Sequence, residues 1–291
     1  MKLSKSLVVS VCIFFSIVTL SVSLWSAKQG VIGKADNDIL LIINYNHPHY
    51  ESMSLIKKMY EPYFKNIVFY GPTKHPHVNE LKHHMGFFSY LCISDAMKKN
   101  PNYKGYFFVM DDCIINPWTF KDFDRTKIWY PYLQWNAQYD GNPVDLTKGP
   151  NSYPTWEWLS SQWGYKPTVQ AFNELPEVYK TKLEQNWGPH HITFACSDIV
   201  YIPSDYKDQY IELAELFGKH QVFLEIAVPT IMSCISSKSD WLWLEGNSTY
   251  NKACLEYNPE MPFNHPIKLS HSYKQNQSFL ERLFEEKLRI I

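Results

Sequence analysis

The longest apolar run stands at the start of the chain. Leu7–Trp25 holds nineteen residues without a charge, preceded by Lys2 and Lys5. At about 1.5 Å of rise per residue it would form roughly 28 Å of helix, close to a bilayer's hydrocarbon thickness. Two readings stand: an uncleaved signal anchor, or a signal peptide cleaved after Ala27. The run exceeds the roughly 7–15 residues of a signal-peptide core, which favours the anchor. The expected layout is a cytoplasmic tail over 1–6, a transmembrane anchor over 7–26, a short stem over 27–37 and a folded domain over 38–291. Lys28 and Lys34 follow the run closely, so charge alone leaves its orientation open.

Beyond it the pattern alternates between short apolar blocks and helical spacing. Asp38–Tyr45 (DILLIINY), Asn66–Tyr70 (NIVFY) and Gly105–Met110 (GYFFVM) read as strands buried on both faces, as in a parallel sheet. His49–Phe64 and Val78–Lys99 have helical spacing between them. This strand–helix order predicts an α/β fold built on a parallel sheet. Residues 117–167 break the rhythm, being rich in Trp, Tyr, Pro and Asn. Further on, helices are expected over Phe172–Asn186, Asp205–Phe217, Val222–Ile235 (interrupted by Pro229) and Gln277–Leu288. Ile192–Ile202 should supply one or two strands.

Composition narrows the function. A net charge of −1 gives no electrostatic footprint for nucleic acid. Asn247-Ser248-Thr249 and Asn276-Gln277-Ser278 are acceptor sequons for N-glycosylation, in keeping with export. Five cysteines follow the apolar run, and Cys234 with Cys254 is the pair nearest in sequence and the first candidate for a disulfide. Of ten tryptophans, six lie between Trp118 and Trp163. Trp156, Trp158 and Trp163, with Asn136 and Gln162, suit a sugar site, where aromatic faces meet ring faces and amides bind hydroxyls. The same aromatics also fill cores in loop-rich regions.

The sharpest chemical signal is Asp111-Asp112, directly after a buried strand. Ligands of open α/β sheets bind at the carboxyl ends of strands. Two adjacent carboxylates there favour a hard divalent cation, which would bridge the phosphates of a nucleotide. A strand-end turn capped by Asp is the plainer reading. Asp198 is unusual inside a strand pattern, and two readings stand: a contact to an acceptor, or a role in holding the fold. His190 and His191 follow a Gly-Pro turn, and only one of two adjacent strand residues faces a given side, so His191 is taken as the substrate contact.

The stretch FFVMDDCIIN, ending a buried strand in an acidic pair, resembles the DXD segment of the GT-A glycosyltransferases. The resemblance spans roughly residues 38–272 at the level of layout. It implies a Rossmann-like, mainly parallel sheet flanked by helices, with an aromatic-rich insertion. It further implies a metal-dependent transfer from a nucleotide-sugar donor to a glycan or glycoprotein acceptor, with Mn²⁺ or Mg²⁺ as cofactor. Under it, Asp111, Asp112 and His265 bind the metal, with His271 a competing ligand, and Lys268 binds the phosphates. Asn44, Tyr45 and Asn46 meet the base or ribose, and Glu225 or Asp198 handles the acceptor hydroxyl. The same resemblance places the enzyme in the Golgi or ER membrane as a single-pass type II protein with a lumenal catalytic domain. Two other readings stay open. One is a carbohydrate-binding or structural protein on the same fold. The other is a secreted hydrolase with paired carboxylates, although the chain has neither G-x-S-x-G nor HExxH.

Overall fold

A computed structural model describes residues 36–133, 143–151, 157–248 and 256–290. Nine strands form one sheet in the order β3-β2-β1-β4-β9-β6-β10-β11-β5. They are β1 Asp36–Asn44, β2 Phe64–Gly71, β3 Asn79–Glu80, β4 Gly105–Met110, β5 Ile114–Ile115, β6 Ile128–Leu133, β9 Ile199–Pro203, β10 Trp241–Ser248 and β11 Phe263–His265. A second, two-stranded sheet pairs β7 (Pro143–Asp145) with β8 (His191–Thr193). The helices are α1 Met53–Tyr60, α2 Tyr90–Lys99, α3 Glu157–Ser160, α4 Tyr165–Glu174, α5 Glu177–Trp187, α6 Lys207–Lys219, α7 Leu224–Ile235 and α8 Lys274–Ile290. The fold is mixed α/β, with a large and mainly parallel sheet flanked by helices.

The centre follows from the apolar blocks. Ile39–Ile43 of β1 and Tyr106–Met110 of β4 are buried throughout, which requires cover on both faces of the sheet. Each aliphatic side chain hidden there contributes about 1.5–3 kcal/mol. An aromatic layer adjoins them, in which Trp129 stacks on Tyr201 at 4.1 Å and meets Phe107 edge-on at 5.6 Å.

The sheet is mainly parallel, as expected, and its antiparallel member stands at a decisive place. β9 runs antiparallel between β4 and β6. Its first residues therefore lie beside the last residues of β4. A short antiparallel pairing of β11 with β5 brings the C-terminal region to the same end.

Several local expectations are corrected. The helix expected over Val78–Lys99 forms only from Tyr90. Before it, His84, Met85 and Gly86 take positive φ, which no helix of L-residues can accommodate. The helix expected over Phe172–Asn186 is two helices, because Leu175 precedes Pro176 and is extended (ψ 129°). Conversely, Pro229 does not interrupt α7. Proline has no N–H to offer the Glu225 carbonyl one turn back. That carbonyl instead accepts the Ala195 N–H at 3.0 Å, so the hydrogen bond the helix lacks is made to the loop before β9. Within 117–167 the aromatic stretch supplies the inner strand β6 as well as irregular chain. Cys234 is a free, buried thiol, so the expected bridge to Cys254 does not form at Cys234; Cys254 itself lies outside the described residues. The amide of Asn276 is buried and donates to the Lys268 carbonyl, which closes that sequon to a glycan.

The placement in a Golgi or ER membrane as a single-pass type II protein is also corrected. Among the described residues no helix is long and apolar enough to cross a membrane. Leu7–Trp25 lies outside the described residues.

Candidate functional site

Three chain segments converge at the C-terminal end of β4. The Met110 N–H donates to the Asp198 carbonyl at 2.8 Å, continuing the β4–β9 ladder and fixing Asp198 beside the acidic pair. Pairing of Asn264 with Ile114, then an Ile267 N–H to Asp112 carbonyl bond of 2.7 Å, bring His265 and Lys268 over Asp112. His265 Nε2 lies 3.7 Å from Asp112 Oδ1 and 3.7 Å from Asp198 Oδ1. Lys268 Nζ pairs with Asp112 Oδ2. Cys196 Sγ donates to Asp198 Oδ2 at 3.2 Å.

Burial shapes the charges. It pushes the Asp111 carboxyl well above the usual carboxylate range, and the charge of Asp112 adds to the rise. Burial would raise Asp112 too, but His265 and Lys268 outweigh it and hold that carboxyl below its ordinary value. Desolvation pulls Lys268 down, yet Asp112 and Asp111 more than compensate, so its ammonium is held above the usual range. The two carboxyls are therefore pushed in opposite directions, Asp111 up by burial and Asp112 down by His265 and Lys268.

The donor set fits a divalent cation. Asp112 Oδ1 is buried and accepts no hydrogen bond from a described residue, which costs about 1–3 kcal/mol if nothing else meets it. Ligand atoms of Cys196, Asp198 and His265 lie within 4.8 Å of one another. A carboxylate and an imidazole suit Mn²⁺ or Mg²⁺ in kind. The thiol is the soft member, and its contact is to the second oxygen of Asp198. The acidic pair borders this cluster through the 3.7 Å approach of Asp112 to His265, while Asp111 turns toward β1. Its N–H donates to the Asn44 carbonyl at 2.9 Å, and its carboxylate takes the Asn46 N–H.

Of the β1-end residues, only Asn46 is partly open to solvent. Asn44 is fully buried; its amide donates to Asn46 Oδ1 (3.2 Å) and Met110 Sδ (3.3 Å), and its carbonyl oxygen accepts from Cys92 Sγ. Tyr45 is a correction. It has no exposed surface, its hydroxyl is bonded to Ser52 Oγ at 2.9 Å, and its ring packs on Tyr50, so no base can stack on it in this conformation. Tyr50 instead lines a cavity beside α1 and β2, with Met53 and Lys57 of the helix, Phe69 of the strand, and His75 and His77.

Glu225 is half-buried in the first turn of α7 and tied through its carbonyl to the loop that carries Cys196 and Asp198. Trp158 and Trp163 are brought to the start of the same helix. Trp158 stacks on Phe223, and the Phe223 N–H donates to the Trp163 carbonyl at 2.9 Å. Trp156 and Asn136 lie outside the described residues. His191 belongs to the small sheet and its ring bonds the Pro189 carbonyl at 2.7 Å, so the acid cluster does not hold it. His271 bonds Glu51 at 2.7 Å and is no part of the cluster.

No known protein-family profile matches the chain. Among solved structures, a glycosyltransferase involved in glycosylation of the major capsid of PBCV-1 superposes with a TM-score of 0.41 and 12% identity, over 85% of this chain and 99% of that one. Core-mannan synthase A from Aspergillus fumigatus, in its Mn/GDP form, gives 0.39 and 10%, over 72% and 73%. In sequence, alignments 245 residues long that cover 80% of the chain are 22% identical to each of two Arabidopsis thaliana proteins, probable glycosyltransferases STELLO1 and STELLO2. The chain spans 30% of the length of those relatives, so it is similar to one part of two probable glycosyltransferases.

Proposed function

We propose that this chain is a glycosyltransferase domain that moves a sugar from a nucleotide-sugar donor to a glycan or glycoprotein acceptor. The observation that carries the reading is the approach of Asp112 and Asp198 to the one imidazole of His265, with Lys268 on Asp112 and one buried Asp112 oxygen that no described donor meets. The sequence similarity to probable glycosyltransferases supports the same reaction class.

Asp112, Asp198 and His265 would hold a divalent ion, Mn²⁺ or Mg²⁺. Such an ion, when bound, screens the negative charge of a departing diphosphate. Lys268 presents its ammonium to the diphosphate oxygens on the same side. Asn46, at the end of β1, borders the donor. The Glu225 carboxylate accepts the proton that the acceptor hydroxyl loses as its oxygen bonds to the anomeric carbon and the bond from that carbon to the phosphate oxygen breaks.

Thermal unfolding with UDP and with GDP, each with and without Mn²⁺, tests this. A ligand that binds the folded state alone raises the midpoint. Stabilisation should need both nucleotide and ion, and should vanish in Asp112→Ala. The absence of any shift with either nucleotide would overturn the proposal.

A further inference from the structure

Beside the start of α7 lies an aromatic assembly that neither the ion cluster nor the donor end uses. Trp158 and Phe223 stack with centroids 4.7 Å apart and planes 11° from parallel. Phe87 lies 5.2 Å from each of them, at 79° and 89°. A ring equally distant from two parallel rings and perpendicular to both must sit at their edges, not on an outer face. Trp163 backs Phe87 at 5.0 Å, and His84 backs Trp163 at 4.8 Å. One face of Trp158 is therefore on Phe223, its side is on Phe87, and no described aromatic ring covers its other face. Trp158 keeps 39% of its surface exposed.

The neighbouring turn adds an independent observation. His84 and Met85 both hold positive φ (49° and 56°), a conformation that costs non-glycine residues about 1–3 kcal/mol each. The turn is held by buried His83, whose Nδ1 accepts the Gly86 N–H at 2.9 Å. It is also held by Phe87, whose carbonyl accepts the Leu224 N–H at 2.8 Å. The outcome is Met85, 51% exposed, next to the aromatic assembly. A protein gains nothing in stability by straining backbone to expose a methionine two residues before Phe87. A ligand with an apolar face does gain from it.

We infer that the Trp158 face is the platform for a pyranose ring of the acceptor, so that the acceptor is recognised as a glycan and not as a peptide hydroxyl. The inference rests on reading the adjoining cluster as the transfer site. The chemistry is specific. One face of a pyranose carries axial C–H bonds whose positive ends meet the negative face of the indole. The ring's hydroxyls then point sideways, toward polar groups. Phe223, on which Trp158 stacks, is the N-cap residue of α7, and Glu225 lies in the first turn of that helix, so the platform and the proposed base belong to one helix start. Phe223 and Phe87 pre-set the indole plane, so little side-chain freedom is lost on binding.

The test uses the full chain and a panel of methyl glycosides of glucose, galactose, mannose and N-acetylglucosamine. The indole N–H signal of Trp158, assigned from its loss in Trp158→Phe, should move on titration with at least one glycoside, while that of buried Trp129 stays still. In transfer assays with the matching acceptor, Trp158→Ala should raise KM about tenfold with kcat little changed. Trp158→Phe should restore most of the affinity, and both variants should keep the nucleotide-dependent stabilisation by Mn²⁺, which also shows that they fold. A Trp158 signal unmoved by every glycoside, or an unchanged acceptor KM in Trp158→Ala, would overturn the inference. Failure of the nucleotide experiment with normal glycoside shifts would instead sink the transferase reading alone.

Discussion

His265 Nε2 stands 3.7 Å from Asp112 Oδ1 and approaches the one oxygen of that carboxylate that no described donor satisfies. The relationship makes the two residues separable by experiment. Asp112→Asn keeps the shape and removes the charge, and should lower transfer by about a hundredfold or more. His265→Ala should weaken ion affinity by more than the roughly 10–100-fold typical of losing a supporting second-shell partner. Titration with Mn²⁺ at fixed nucleotide, followed by initial rates, checks both. Equal activity of Asp112→Asn and the parent would show that the ion, if any, sits elsewhere.

Gly86 is the position least able to accept a side chain. Its φ is +93°, and an added Cβ would lie 2.0 Å from Asn46 Oδ1. Gly86→Ala should destabilise the fold by about 1–3 kcal/mol through backbone strain, and should displace Asn46 as well. Urea unfolding gives the first quantity. The nucleotide concentration needed for half-maximal stabilisation reports the second, and it should rise.

Asp145 provides a pH marker away from the site. Its carboxylate accepts from the Thr147 hydroxyl (2.6 Å) and N–H (2.9 Å), capping the turn at Leu146–Lys148. The two bonds, the hydroxyl's first, bring its pKa down to about 2. A depressed folded value means that the contribution is complete above the unfolded value of about 4, and is lost as pH falls from there through about 2. The stability gap between the parent and Asp145→Ala should accordingly narrow over that window and stay level from pH 5 to 7. A gap that is constant down to pH 2 would contradict the cap.

Cys234 is expected as a free thiol. Peptide mapping of protein alkylated after unfolding, without prior reduction, should recover Cys234 carrying the alkyl group. Recovery of a Cys234 disulfide-linked peptide would show the opposite.

How much of this was legible beforehand differs by element. β1 and β4 were readable because Leu40–Ile43 and Tyr106–Met110 are apolar without interruption and short, which suits a strand covered on both faces better than a helix. The acidic pair was readable because it ends one of those strands. Its division of labour was not, since what separates Asp112 from Asp111 is His265 and Lys268, delivered by a β11–β5 pairing of two residues each. Such a pairing is too short to leave a periodic signal. Asp198 drew notice as an acid amid apolar neighbours, but its place beside His265 depends on β9 running against β4, which strand patterns do not encode. The segment before Tyr90 misled because its apolar spacing matches a helix, whereas His83 holds the left-handed turn through a side-chain contact. Pro229 misled in the other direction: a local helix breaker was tolerated because Ala195 supplied the missing partner.

The three-segment origin of the cluster bears on the order in which the protein assembles. Asp112, Asp198 and His265 come together only after β9 has inserted beside β4 and β11 has closed on β5. An early structure made of β1, β2 and β4 with their helices would contain the acidic pair and no ion site. Ion binding would then act on the last step of folding alone, slowing unfolding without speeding the early collapse. A chain with β9 or β11 misplaced would then lack Asp198 or His265 at the cluster and would have no site with which to retain an ion.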